Sequence, residues 1–311
     1  MSLAFVFPGQ GSQSVGMLSQ LASEFSQVES TFSEASDALG YDLWSIVSSG
    51  PAESLNQTER TQPAMLAAGI AVWRIWQSLT NIEPSYLAGH SLGEYSALVA
   101  AEALSFSDAI KLVELRGQFM QQAVPAGQGG MAAILGLDDQ KVIDICQQSA
   151  QGSVVEAVNF NSPGQVVIAG EVNAVTRATE FAKEQGAKRA LLLPVSVPSH
   201  CALMKPAAEK LATALDDINI NIPVIPVIHN VSVAVADDAA AIKQLLTQQL
   251  YSPVRWVETI QYFTQHDTNM IIECGPGKVL AGLTKRIDKT ATGLPVFDQA
   301  SLEKAVATLG E

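Results

Sequence analysis

The chain has 311 residues, 48% hydrophobic and 16% charged, and a formal net charge of −13, which suits a globular enzyme with one large core or one large and one small domain. The acidic balance argues against nucleic-acid binding, which needs a basic face for phosphates, and apolar runs such as 65–72 and 98–104 fall short of the ~20 residues that cross a bilayer. The start, Met1-Ser2-Leu3-Ala4-Phe5, has neither the basic region nor the cleavage site of a signal peptide, so the expected compartment is the cytoplasm.

Residues 3–7 read as a short buried strand that breaks at the loop Pro8-Gly9-Gln10-Gly11-Ser12. Helical patterns follow through residue 40 and, after Pro51-Ala52-Glu53, through residue 80. A strand over 86–88 precedes a helix over 94–103, and another helix runs over 106–123 with Ser107 as its N-cap. The rhythm then changes. A strand over 130–137 and a helix over 138–150 lead to strands over 154–160 and 165–171, joined at Asn161-Ser162-Pro163-Gly164. A helix over 172–186 and a strand over 188–197 complete the order β-α-β-β-α-β, the ferredoxin-like signature. The Gly-rich stretch 126–130 before it reads as an inter-domain linker. Beyond it come a helix over 202–215, a strand region over 224–233, helices over 237–250 and 255–266, and a strand over 270–274 ending at Gly275-Pro276-Gly277. Alternating strands and helices in the outer parts predict an α/β fold with a mainly parallel sheet. The expected division is a large domain of 1–124 and 198–311 with a ferredoxin-like small domain of 125–197 inserted in it.

Gly89-His90-Ser91-Leu92-Gly93 fits G-x-S-x-G between a strand and a helix. Such a tight turn pushes the Ser hydroxyl outward and leaves helix-start N–H groups facing the same space, which makes Ser91 a candidate nucleophile for acyl transfer. A Ser hydroxyl needs a base, and the histidines are 90, 200, 229 and 266. His90 lies inside the elbow, His229 in an apolar strand run, and His266 at a helix end. His200, in Val197-Pro198-Ser199-His200, sits where the chain re-enters the large domain and is the best candidate. An acid to orient it should fall between 91 and 200. Asp108, Asp138 and Asp139 are available but each reads as a helix start, so a neutral orienter must be considered. Arg116 is either a helix-edge cation whose stem covers apolar surface or a fork for a substrate carboxylate. Gly9-Gln10-Gly11 could supply an oxyanion N–H, but Ser14 in place of the third glycine rules out a dinucleotide fingerprint.

Cys146, Cys201 and Cys274 are widely spaced with no Cys-x-x-Cys, so no disulfide framework or metal site is expected. Cys201 adjoins His200, yet neighbours on a chain seldom face each other. Two basic islands, Lys188-Arg189 and Lys278 with Lys285, Arg286 and Lys289, are either solvated surface or docking points for something acidic.

Phe7-Pro8-Gly9-Gln10-Gly11-Ser12-Gln13, Gly89-His90-Ser91-Leu92-Gly93-Glu94, Arg116-Gly117, Pro198-Ser199-His200 and Gln249-Leu250-Tyr251-Ser252-Pro253-Val254 together resemble the malonyl-CoA:acyl carrier protein transacylases of bacterial fatty-acid synthesis. The likeness runs from about residue 3 to about residue 290, and the order and spacing of the five segments make it specific. It implies an α/β-hydrolase-like core with a ferredoxin-like insert. It also implies that Ser91 carries malonyl as an ester, that His200 is the base, and that Gln249 supplies the amide or carbonyl that orients it. By the same likeness Gln10 and Leu92 give the oxyanion N–H groups and Arg116 binds the malonyl carboxylate. Malonyl-CoA is then a substrate, no further cofactor or metal is expected, and acyl carrier protein is the partner of a monomeric enzyme. Related polyketide domains that use malonyl carry Phe before the His; here it is Ser199, as in free-standing members. Because that carrier protein is acidic, Lys188, Arg189, Lys285 and Arg286 are expected to flank the mouth of the site. A serine esterase or thioesterase is the alternative enzyme, with water in place of the thiol; a catalytically silent scaffold would be favoured by loss of Ser91 or His200, both of which are present.

Overall fold

The computed structural model describes residues 2–195 and 197–310. Its strands in chain order are β1 (Leu3–Phe7), β2 (Tyr86–Gly89), β3 (Gly129–Leu135), β4 (Val155–Ser162), β5 (Gln165–Glu171), β6 (Arg189–Leu192), β7 (Val227–Ile228), β8 (Met270–Cys274) and β9 (Thr292–Val296). They form two sheets. One has five strands in the order β7-β2-β1-β8-β9, and every pairing in it is parallel.

β1 is apolar at every position because it is covered on both faces. Its alternation divides the core. Leu3, Phe5 and Phe7 pack into a cluster with helix Thr58–Leu79, while Ala4 and Val6 join Trp256, Ile260 and Phe263 on the other face. The Phe5 ring meets Trp73 and Trp76 edge-on, each at 5.1 Å between centroids. Each such pair adds about 1 kcal/mol beyond the burial itself. Since strands in one parallel sheet all point the same way, the loops after β1, β2, β7 and β8 open on a single edge. In sheets of this kind ligands bind outside the carboxyl ends of the strands.

The second sheet has the order β4-β5-β3-β6 with all pairs antiparallel. Helices Asp139–Ala150 and Val172–Glu184 supply Val142, Ile145, Ala174, Val175 and Ala178 to a core on one of its faces. Met131, Val158, Val167 and Ala169 on the other face pack against Cys201. The sheet thereby covers the loop that carries His200. The order of elements and strands is the ferredoxin-like arrangement, and the whole fold is α/β with a parallel sheet and a separate antiparallel one.

Several local expectations are corrected. A helix at Leu43–Ser49, capped by Asp42 accepting from the Ser45 N–H, occupies a stretch given no element. Ser105, not Ser107, caps helix Phe106–Ala123 by accepting from the Asp108 N–H. The region 224–233 holds only the two-residue β7. β6 stops at Leu192 rather than reaching 197, just before the N–H-lacking Pro194. The 161–164 turn tightens to Pro163-Gly164, with Asn161 and Ser162 inside β4. After Gly277, in a stretch whose sequence predicts only a basic island, helix Val279–Ile287, β9 and helix Gln299–Gly310 follow. Among the described residues no helix is long and apolar enough to cross a membrane.

Candidate active site

Ser91 adopts φ 53°, in the left-handed region. A non-Gly residue there is uncommon, and it marks the sharp turn between β2 and helix Gly93–Ala100. The flanking glycines are required by space: a Cβ on Gly89 would lie 1.8 Å from the Gly93 carbonyl carbon, and one on Gly93 would lie 2.0 Å from the Phe7 oxygen. Asn230, just after β7, ties the turn down. Its Oδ1 accepts from the Ser91 N–H at 2.7 Å and its Nδ2 donates to the Gly89 carbonyl at 2.6 Å.

The Ser91 hydroxyl lies 2.7 Å from His200 Nε2. On the far side of the ring, Nδ1 donates to the Gln249 main-chain carbonyl at 2.7 Å. That second bond fixes the tautomer, leaving Nε2 as an acceptor for the serine proton. The orienting group is therefore the backbone of Gln249, and none of the three aspartates considered from sequence plays this part. Burial first, and the nearby Arg116 charge second, lower the His200 pKa to about 3, so the ring is neutral and its Nε2 lone pair faces the serine hydroxyl.

Arg116 is 1% exposed. Its Nη1 donates to Gln62 Oε1 at 2.8 Å, and its Nη2 to Gln249 Oε1 at 3.0 Å and to Ser91 Oγ at 3.4 Å. Gly117 makes this possible: a Cβ there would lie 2.7 Å from the Glu59 Cα, so only glycine lets the two long helices approach closely enough. Of the two sequence readings, the helix-edge cation is excluded by burial. Gln10 lies in the loop after β1 with its side chain exposed, and Leu92 opens the elbow helix. Among the described residues neither N–H donates to a backbone carbonyl.

Three further residues belong to this cluster and were missed. Glu94 is fully buried. Its Oε2 accepts from the Asn230 N–H and Gln249 Nε2, both at 2.9 Å, and its Oε1 accepts from His229 Nδ1 at 2.8 Å. Gln62 and Asn230 complete the set. The signal for Glu94 was a carboxylate on a helix segment buried nearly all round, from Gly93 to Leu98. His90 Nε2 faces Asn161 Oδ1 at 2.8 Å, which links the elbow to β4. His266 closes helix Trp256–Gln265, its Nδ1 hydrogen-bonded to the Tyr262 carbonyl at 2.7 Å. Cys201 is buried and its Sγ turns to the Pro198 carbonyl at 3.1 Å; burial pushes its thiol pKa up to about 12, so it is no nucleophile.

One cation from each basic island lies at one corner of the antiparallel sheet, its Leu135 end, on strands or contacts either side of β3. Leu135 pairs with Arg189 on one side and Gln165 on the other, and Arg286 donates to Gln165 Oε1 at 3.0 Å. Lys188, Arg189, Lys285 and Arg286 are all exposed. Gln165 also pairs with Ser162, next to the Asn161 that holds His90, so the corner adjoins the elbow through β4. Among the described residues no group of three or more His, Cys, Asp and Glu could hold a metal.

The acyl transferase domain family matches residues 4–301. A malonyl CoA-acyl carrier protein transacylase of Salmonella typhimurium is 57% identical over 97% of this chain and 98% of its own length. The protein of the same name from Haemophilus influenzae is 59% identical over 96% of each. The chain belongs to this acyl transferase family. Among solved structures, an acyl carrier protein S-malonyltransferase from Vibrio cholerae superposes with a TM-score of 0.96 at 60% identity, over 98% of this chain and 100% of that one. A malonyl-transacylase solved in complex with its type II PKS acyl-carrier protein gives 0.98 at 56% identity, over 99% and 100%. The fold and the elbow described above are thus those of an acyltransferase.

Proposed function

We propose that this enzyme moves malonyl from coenzyme A to the phosphopantetheine thiol of acyl carrier protein, by way of a malonyl ester on Ser91. The observation that carries the reading is the convergence on one atom: Ser91 Oγ lies 2.7 Å from a neutral imidazole and 3.4 Å from a buried guanidinium. A base makes the hydroxyl nucleophilic, and the cation gives a carboxylated acyl group a place to bind.

In the first half-reaction His200 Nε2 takes the serine proton as Oγ attacks the thioester carbonyl. The tetrahedral oxyanion is held by the N–H groups of Gln10 and Leu92; one such donor contributes about 3 kcal/mol to lowering the barrier. The intermediate collapses, the carbon–sulfur bond breaks, and the imidazolium protonates the leaving thiolate. In the second half-reaction His200 deprotonates the carrier thiol, which attacks the ester; the acyl–oxygen bond breaks and the imidazolium returns the proton to the departing Ser91 Oγ. The kinetics are ping-pong. Arg116 pairs with the malonyl carboxylate throughout, so acetyl-CoA leaves a buried cation unpaired and reacts poorly. Lys188, Arg189, Lys285 and Arg286 receive the acidic carrier protein at the mouth of the site. The reaction takes place in the cytoplasm on a monomer, without cofactor or metal, and the insert of residues 125–197 acts as a separate small domain over the site.

Intact-protein mass spectrometry after mixing with malonyl-CoA tests the reading. A malonyl adduct located on Ser91, stable until carrier protein removes it, is expected. Steady release of malonate with no adduct would instead make the enzyme a thioesterase, and an adduct on another residue would overturn the assignment of the nucleophile.

A further inference from the structure

Arg116 and Glu94 are both buried, yet their side chains do not meet. The Gln249 amide stands between them. Its Oε1 accepts from Arg116 Nη2 at 3.0 Å, and its Nε2 donates to Glu94 Oε2 at 2.9 Å. Glu94 cannot swing across, because His229 Nδ1 and the Asn230 N–H hold it as well. Arg116 makes no ion pair among the described residues, and its Nε has no hydrogen-bond partner.

Two demands conflict at such a cation. A buried guanidinium with no counter-charge is strongly disfavoured. A guanidinium in contact with a protein carboxylate is already satisfied and discriminates poorly for a second one. Charges separated by one amide still attract in a low-dielectric interior, while among the described residues only neutral groups, Gln62, Gln249 and Ser91, touch the cation and no carboxylate takes a contact position on it. Burial pushes the Arg116 pKa down, and Tyr95 and Glu94 oppose that fall. Gln249 also keeps a separate duty, since His200 is held by its main-chain carbonyl rather than its side chain.

We propose that Gln249 is a specificity-determining spacer, whose side-chain amide keeps the anion of Glu94 near Arg116 but off it, leaving the guanidinium open to a carboxylate on the acyl group. This rests on the transfer of a carboxylated acyl group proposed above.

The test moves the anion one place without changing composition or net charge: Glu94→Gln combined with Gln249→Glu. The readout is the ratio of Ser91 loading rates from malonyl-CoA and acetyl-CoA. With the introduced carboxylate against Arg116, the ratio should fall by about 100-fold, malonyl loading losing far more than acetyl loading. Glu94→Gln alone should not lower the ratio, because it removes the anion without blocking the cation. A wild-type ratio in the double variant overturns the spacer role. So does an equal fall of the ratio in Glu94→Gln alone. If the double variant does not fold, Gln249→Glu alone is read in the same way. Failure of the unaltered enzyme to load malonyl at all would remove the proposed function and this role with it; malonyl loading with an unmoved ratio removes only the spacer.

Discussion

The Ser91 elbow and the cationic corner of the antiparallel sheet are joined through β4, yet they are built in contrasting ways. At the elbow the backbone is fixed by close approach on both sides and by the Asn230 amide, and the polar side chains behind it interlock through Glu94, Gln249 and Arg116. At the corner the four cations are exposed, and Arg286 alone among them has a side-chain hydrogen bond among the described residues. The difference follows from the work each region is suited to. Bond making needs atoms held within fractions of an ångström, so the cost of burying polar groups is offset by mutual hydrogen bonds. Attraction of an acidic partner acts over a Debye length of about 8 Å and needs only the right sign of charge.

If the elbow is rigid by close packing, the largest effect should come from its glycines. Gly89→Ala would place a Cβ 1.8 Å from backbone at Gly93, which no side-chain adjustment relieves. A loss of more than about 4 kcal/mol, or no soluble protein, is expected from urea denaturation. A wild-type midpoint would mean the elbow is far more pliant than its geometry.

A second effect concerns pH. His200 has its pKa lowered to about 3 by burial and then by Arg116, so the neutral form is favoured in the folded state. The sign follows: this group's contribution to stability is present above the unfolded value of 6.5 and is lost as pH falls from there toward about 3. Ser91 loading should accordingly show no acid limb near pH 6.5. In Arg116→Ala, with the second cause removed, an acid limb should appear at higher pH than in the unaltered enzyme. Identical limbs in the two proteins would uncouple the cation from the base.

The smallest effect should be at the corner. Reversing the charge of Lys188, Arg189, Lys285 and Arg286 together should raise KM for carrier protein about tenfold at low ionic strength, an effect that shrinks as salt is added. The melting temperature should stay within about 2 °C, because solvated surface charges contribute little to stability. An unchanged KM would place docking elsewhere, and a large drop in melting temperature would make the corner as structural as the elbow.

What could be read from the residues alone was whatever is encoded locally. The apolar run of β1, the G-x-S-x-G turn and the β-α-β-β-α-β rhythm all depend on neighbours in the chain, so the α/β class and both sheets were legible. So was Ser91, because an elbow is a local shape. The elements after Gly277 are short, and basic residues interrupt the apolar spacing of helix Val279–Ile287, so their pattern is weak in the chain. Helix Leu43–Ser49 is only seven residues long, too short for periodicity to stand out. The site behind Ser91 is different in kind. Glu94, Gln62, Asn230 and the main-chain carbonyl of Gln249 are ordinary residues until the parallel sheet stacks the ends of its strands on one edge. The resemblance pointed to Gln249 but left its amide and its carbonyl as alternatives, and only the fold shows that the main-chain carbonyl holds His200, since every residue has one. Sequence determined which turn would expose a serine. Tertiary structure decided the company it keeps: contacts between residues as distant in the chain as Ser91 and Gln249 exist only once the core has closed, and burial then gives the imidazole, the guanidinium and the carboxylate their strength.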